Sequence, residues 1–189
     1  MSDTRIHTHS GIIFDPLDPD PALIRIEDIA HALSHQCRFS GHTDPFYSVA
    51  QHSYEVAWRL PDELKLIGLL HAASEAYLVD LAAPLKSDPA FGASYREAER
   101  RLMEAIAARF GFTWPEPPLV REVDRRMMMT ERRCFLPVAE SAEETDLWLW
   151  WERDLRPFPE RLHAMYPWVA RHMFMTEFEM WKEEVCTRP

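Results

Sequence analysis

Glycine is scarce in this chain, with five residues in 189. That scarcity argues against folds built on many tight turns, and no GxGxxG or GxxxxGK(S/T) segment is present to cradle a phosphate with backbone amides. Cysteine is rarer still: Cys37, Cys134 and Cys186 are odd in number and lack CxxC spacing, so neither a disulfide framework nor a zinc knuckle is indicated. Positive charge is short too, with 21 Lys and Arg against 31 Asp and Glu and a net charge of −10. No general basic surface is available for a nucleic-acid backbone, so bulk nucleic acid is not an expected partner. Long apolar runs are also missing, and the opening MSDTRIHTHSG has no apolar core of a signal peptide. The expectation is a soluble cytoplasmic protein with no membrane partner.

What is present suits a packed core: 47% hydrophobic residues, with aromatics 12% of the chain, in a length that fits one domain. Fifteen prolines fall in clusters and mark where helices cannot continue. Residues 1–25, with DPLDPDP, read as an irregular arm with room for a short hairpin around Ile12 to Phe14. Helical spacing predicts a first helix over 27–35 and a second through Val49, His52, Val56 and Leu60, with Ser48 as its cap. A third opens at Pro61-Asp62-Glu63 and carries Leu64, Ile67, Gly68, His71 and Glu75 on one face. LAAPLKSDPAFG reads as a loop. A long amphipathic helix over 94–110 ends at Gly111, and another carries Val120, Val123, Asp124, Met127, Met128 and Glu131 in register. The aromatic-rich tail, 134–189, holds two helices broken around 156–159 and at Pro167. Its stripe Phe174, Phe178, Trp181, Val185 is assigned to the core rather than to a homo-oligomer face. ESAEETD and EEVC read as solvated. The expected fold is all-α, one helical bundle with minimal strand.

Two of the nine histidines face the core on neighbouring helices, His52 between Val49 and Val56, and His71 beside Ile67 and Leu64. A single inward histidine is most often a hydrogen-bonded core residue, but two together shift the balance. Glu75 lies one turn after His71, with Asp80 and Lys86 beyond it, which gives the look of a polar pocket wall. Asp124 also faces inward and needs either a cation or an arginine, for which Arg38 and Arg121 are available. Two imidazoles and a carboxylate suit Zn, Fe, Co, Mn or Ni better than Ca.

The ordered series Arg38-Phe39, SVAQHS, LLHAASEAYLVDLAAPLK and an inward Asp124 resembles the HD-domain metal-dependent phosphohydrolases, and most of all their small nucleotidase branch of 5′-deoxynucleotidases and dNTP triphosphohydrolases. The resemblance spans about residues 26–133, which would form the HD core. It implies a divalent metal, Mg among the candidates, on His52, His71 and Asp124, with Glu75 and Asp80 as the catalytic carboxylates that orient or deprotonate the attacking water. It further implies that Arg38 and Lys86 hold phosphate oxygens, Phe39 stacks on the base and His42 assists at the phosphate. The implied substrate is a small nucleotide, with release of phosphate from a dNMP or triphosphate from a dNTP.

One position departs from that pattern. Where the family carries the Asp that follows the second His, this chain has Ala72, whose methyl cannot coordinate a cation. Loss of that ligand should weaken metal binding and impair activity strongly. An inactivating substitution made to trap a complex, a degenerate natural member, or recruitment of another ligand would each account for it; the intact Glu75, Asp80, Lys86 and Arg38 favour the first. The alternative to an enzyme is a non-catalytic HD-fold module that binds a nucleotide or a protein.

Overall fold

The computed structural model describes residues 3–137 and 156–186, and their regular structure is helical apart from one small sheet. β1 (Ile6–His7) pairs antiparallel with β2 (Ile13–Phe14), which makes the expected hairpin. The arm is anchored at two points: Phe14 is 1% exposed, and Ser10 donates its N–H and hydroxyl to the Asp28 carboxylate at 2.6 and 2.8 Å. A short 3-10 turn at Pro21–Leu23, capped by Asp20, leads to α1 (Ile26–His35).

α2 (Val49–Trp58) starts where Ser48 accepts the Gln51 N–H, as its sequence predicts. α3 (Asp62–Leu70) lies against α2 at close range because Gly68 has no side chain. A Cβ there would meet the Ala57 backbone at 3.3 Å and the Leu60 side chain at 2.2 Å. The predicted third helix does not run unbroken to Glu75. After Leu70 the backbone tightens into successive three-residue turns, Leu70 to Ala73, Ala72 to Glu75 and Ala73 to Ala76, before α4 (Glu75–Leu78). A tighter winding rotates Glu75 away from the position that 3.6 residues per turn would give it. The segment read as a loop contains α5 (Ala83–Ser87), which Pro84 can open because the first turn needs no proline N–H.

α6 (Ala93–Phe110) ends with Gly111 in the left-handed region, φ 76°, its N–H closing on Ala107. α7 (Pro118–Phe135) follows the WPEPP break, and α8 (Pro167–Cys186) begins at the expected proline. α8 packs across α1, α2 and α3, while α7 packs on α2 and α3, so α2 is the central helix. One buried cluster extends from Phe14 to Phe178 and includes Tyr47, Leu69, Leu102, Met127 and Phe174. Phe174 and Phe178 of the C-terminal stripe belong to it, with Trp181 packed against it, as expected of a core face. Each such buried ring contributes about 1.5–3 kcal/mol.

Residues 156–166 run without regular structure but are tied down. The Gln51 amide donates to the His163 carbonyl at 2.8 Å and accepts the Met165 N–H at 2.7 Å. The helix expected before 156, with Trp148, Trp150 and Trp151, and the run ESAEETD lie outside the described residues, as do the side chains of Val185 and of the EEVC segment. Among the described residues no helix is long and apolar enough to cross a membrane.

Candidate metal centre

Three helices that meet in pairs bring three side chains to one point: His52 from the middle of α2, His71 at the end of α3 and Asp124 from α7. One ligand atom from each lies within 4.8 Å of the other two. His52 Nε2 is 3.1 Å from His71 Nε2 and 3.1 Å from Asp124 Oδ1, and His71 Nε2 is 3.6 Å from the same oxygen. His52 is buried, and Asp124 is about one-third exposed, which gives the site an opening.

The other nitrogen of each ring is already committed. His52 Nδ1 donates to Glu131 Oε1 at 2.6 Å, and His71 Nδ1 donates to the Gly68 carbonyl at 2.7 Å. Both Nε2 atoms therefore present their lone pairs inward, toward each other and toward a carboxylate. Three acceptors crowded together require a cation between them. In the metal-free protein a proton serves. Burial and the neighbouring Arg38 charge work against it, but Glu131 and Asp124 outweigh them and raise the His52 pKa to about 9. The two histidines conversely hold Asp124 well below the usual carboxylate range, despite the desolvation that opposes ionisation. A divalent ion would displace that proton. The residues can thus hold a metal ion, and the partner of Asp124 is this histidine pair. Arg121, one arginine considered for the role, lies beside Glu116 instead.

Glu131 is the functional residue that sequence reasoning missed. It is fully buried and uses both oxygens twice, accepting from His52 and from the Tyr47 hydroxyl (3.0 Å) on one, and from Arg38 Nε and Nη2 (3.2 and 3.1 Å) on the other. Its position seven residues after Asp124 on an amphipathic helix was a legible signal, since a charged group on a buried face must have partners.

Arg38 also faces Asp80, 3.8 Å from Nη1 to Oδ2, so the second arginine considered for Asp124 is already held by two other acids. It stands before an unusual turn in which Phe39, Ser40 and Gly41 all have positive φ (52°, 53° and 84°), and its guanidinium lies 5.6 Å from the Phe39 ring centroid. Backbone strain of this kind costs about 1–3 kcal/mol per residue and clusters at sites where a side chain must be aimed. Glu75 is buried, and its Oε2 has no hydrogen-bond partner. Burial foremost, then the Asp80 charge, pushes its pKa up to about 8, with Arg38, Lys86 and His52 opposing. The Gln36 amide fixes the turn carrying both carboxylates: its nitrogen donates to the Glu75 carbonyl at 2.8 Å, and its oxygen accepts the Asp80 N–H at 3.1 Å. Lys86 is ion-paired with Glu99, and His42 is exposed. Arg96 bonds the Lys86 and Asp88 carbonyls, and Arg100 is paired with Glu97 and Glu104.

Between Glu75 and Asp80 stands Val79, with φ 70° and ψ 153°. That region suits glycine and strains a β-branched residue, and the Val79 side chain is exposed, so packing offers little compensation. Val79→Gly should stabilise the protein by about 1 kcal/mol, the relief of strain exceeding the added unfolded-state entropy. A shift of the urea midpoint to higher concentration checks this, and an unchanged or lower midpoint contradicts it.

The fold and cluster define a mostly helical protein with a partly buried cluster of two histidines and one carboxylate that could hold a metal ion. Its sequence is 36% identical over 151 residues, 75% of this chain and 82% of the relative, to the uncharacterized protein YfdR of Escherichia coli (strain K12). This chain belongs to the same family. It is also 42% identical over 111 residues, 54% of this chain and 56% of the relative, to the uncharacterized protein RCAP_rcc00048 of Rhodobacter capsulatus. No protein-family model matches the chain.

Proposed function

We propose that the chain is a metal-dependent phosphohydrolase of the HD type, with a small nucleotide as substrate and a divalent transition metal on His52, His71 and Asp124. The observation that carries this reading is the meeting of three lone-pair-bearing atoms whose histidines have their outer nitrogens locked by Glu131 and Gly68. Borderline nitrogen ligands favour Zn, Co, Mn, Fe or Ni over Ca. When bound, such an ion supplies Lewis acidity toward a phosphate oxygen and lowers the pKa of a water.

The chain's own residues would do the rest. Glu75 Oε2, unpartnered, is suited to accept a proton from the attacking water once ionised, and with its pKa raised to about 8 that basic form is reached at mildly alkaline pH. Asp80 keeps Glu75 from ionising early and faces the same guanidinium. Arg38 would bind a non-bridging phosphate oxygen through its Nη1 edge, while Glu131 holds the other edge in place. Lys86, drawn toward Glu99, would act on Glu75 through its charge rather than as a direct phosphate ligand. Lys86, Arg96 and Arg100 are engaged elsewhere rather than presented to two further phosphates, which favours a monophosphate ester over a triphosphate. Phe39 beside Arg38 would offer its ring to a base.

Ala72 and Val79 favour a second reading, a site that binds but turns over poorly. Within eight residues, one position lacks the carboxylate that the HD pattern needs, and another holds valine in a glycine conformation. A panel of deoxynucleoside mono- and triphosphates with Co²⁺ or Mn²⁺, assayed for the wild-type chain and for Ala72→Asp, separates the readings. Phosphate release from monophosphates by Ala72→Asp is expected. Failure of both proteins to hydrolyse any member, with nucleotide binding retained, would favour the binding module.

A further inference from the structure

Away from the metal centre, the N-terminal arm overhangs a cleft of about 290 Å³ bordered by His7 and His9 of the arm, Asp28 and His31 of α1, and Tyr77 of α4. The arm meets α1 in two places. Ser10 hydrogen-bonds to Asp28, and one residue earlier the His9 ring lies flat on His31, with centroids 3.6 Å apart and planes within 6°. His35 follows along α1, its centroid 4.2 Å from that of His31, so three imidazoles form a column. Two neutral rings, or one neutral and one charged, can stack in this way. Two imidazolium rings at that separation repel.

The surroundings offer little to neutralise a second proton. The charged and titratable groups around His31 are His7 and His9 from the arm, Asp28 and His35 from α1, Tyr77 from α4 and Arg171 from α8. Asp28 is the anion among them, and both its oxygens accept from Ser10. His31 Nδ1 is buried with no hydrogen-bond partner.

We propose that the His9–His31 stack is a pH-sensitive latch, which holds the arm on α1 and α4 at neutral pH and releases it in acid. Burial, then electrostatic interaction with His35, His9 and Arg171, lower the His31 pKa, against the opposing pull of Asp28. The docked arm therefore binds fewer protons than the released one, where the ring titrates near its ordinary value of about 6.5. Docking is complete above that pH and is lost as the pH falls below it. The latch reaches the metal centre through α4, whose Tyr77 packs on Phe14 of the arm and whose Glu75 is buried beside Arg38.

Hydrogen exchange tests the latch on the intact chain, with protection corrected for the intrinsic rate at each pH. The Thr8, Ser10 and Gly11 amides, which donate to Ile12, Asp28 and Thr8, report the arm. Their protection is expected to fall at least tenfold from pH 7.5 to 5.5 while α2 stays protected. His9→Gln, on an exposed ring, should make arm protection independent of pH, and His31→Gln should do the same from the α1 side. Equal protection of the wild-type arm at both pH values, or a full acid-induced loss in either variant, overturns the proposal.

Discussion

Glu131→Ala is expected to destabilise the fold by about 3–5 kcal/mol, because removing one member of a buried charged network leaves the others without compensation. Glu131 has no exposed surface and serves three partners from α2 and the loop before it: Arg38, Tyr47 and His52. Without it, a nearly buried guanidinium keeps only the more distant Asp80, and the His52 Nδ1–H loses its acceptor. At this chain length the loss corresponds to a fall in Tm on the order of 10 °C. Glu131→Gln should be milder, since an amide oxygen can still accept from His52 and Tyr47 while the Arg38 contact loses its charge. Thermal unfolding of the two variants in the absence of metal checks the order. An Ala variant within 1 kcal/mol of wild type would show that the network contributes little.

Ala72→Asp should change the response to metal more than any other single substitution. Ala72 is buried, adjacent to His71 in the tight turn between α3 and α4. A fourth, anionic ligand supplies both charge and geometry, and an increase in Co²⁺ or Mn²⁺ affinity of at least ~10-fold is expected. The same carboxylate is a liability without the ion, because a buried charge lacking a cation destabilises the fold. The variant should therefore melt below wild type in EDTA and regain or exceed its Tm with metal, while wild type shifts little. Calorimetric titration and paired melting curves measure both effects. Equal metal-induced shifts in the two proteins would mean that residue 72 does not face the ion.

Much of the helix pattern was readable because its causes are local. Ser48 capping α2, Gly111 ending α6 and Pro167 opening α8 each act through the backbone of their own segment. The inward faces of His52 and Asp124 followed from 3.6-residue periodicity and apolar neighbours one turn away. Periodicity failed between 71 and 75, where the helix tightens into three-residue turns, and at 83–87, where a short helix replaces a loop. Both places are held by contacts from other elements: Gln36 at the end of α1 grips the turn from Glu75 to Asp80, and Arg96 and Glu99 of α6 bond Lys86.

The sequence by itself determined an acidic, helical chain with two histidines and an aspartate on core-facing stripes, because composition and periodicity are properties of neighbouring residues. Only the tertiary structure decided that these three share one point, that Arg38 and His52 are joined through Glu131, and that Lys86 is drawn toward Glu99. Partner choice depends on where helices cross. Here it rests on details such as a glycine at position 68 that lets α3 approach α2 closely enough for two imidazole nitrogens to meet.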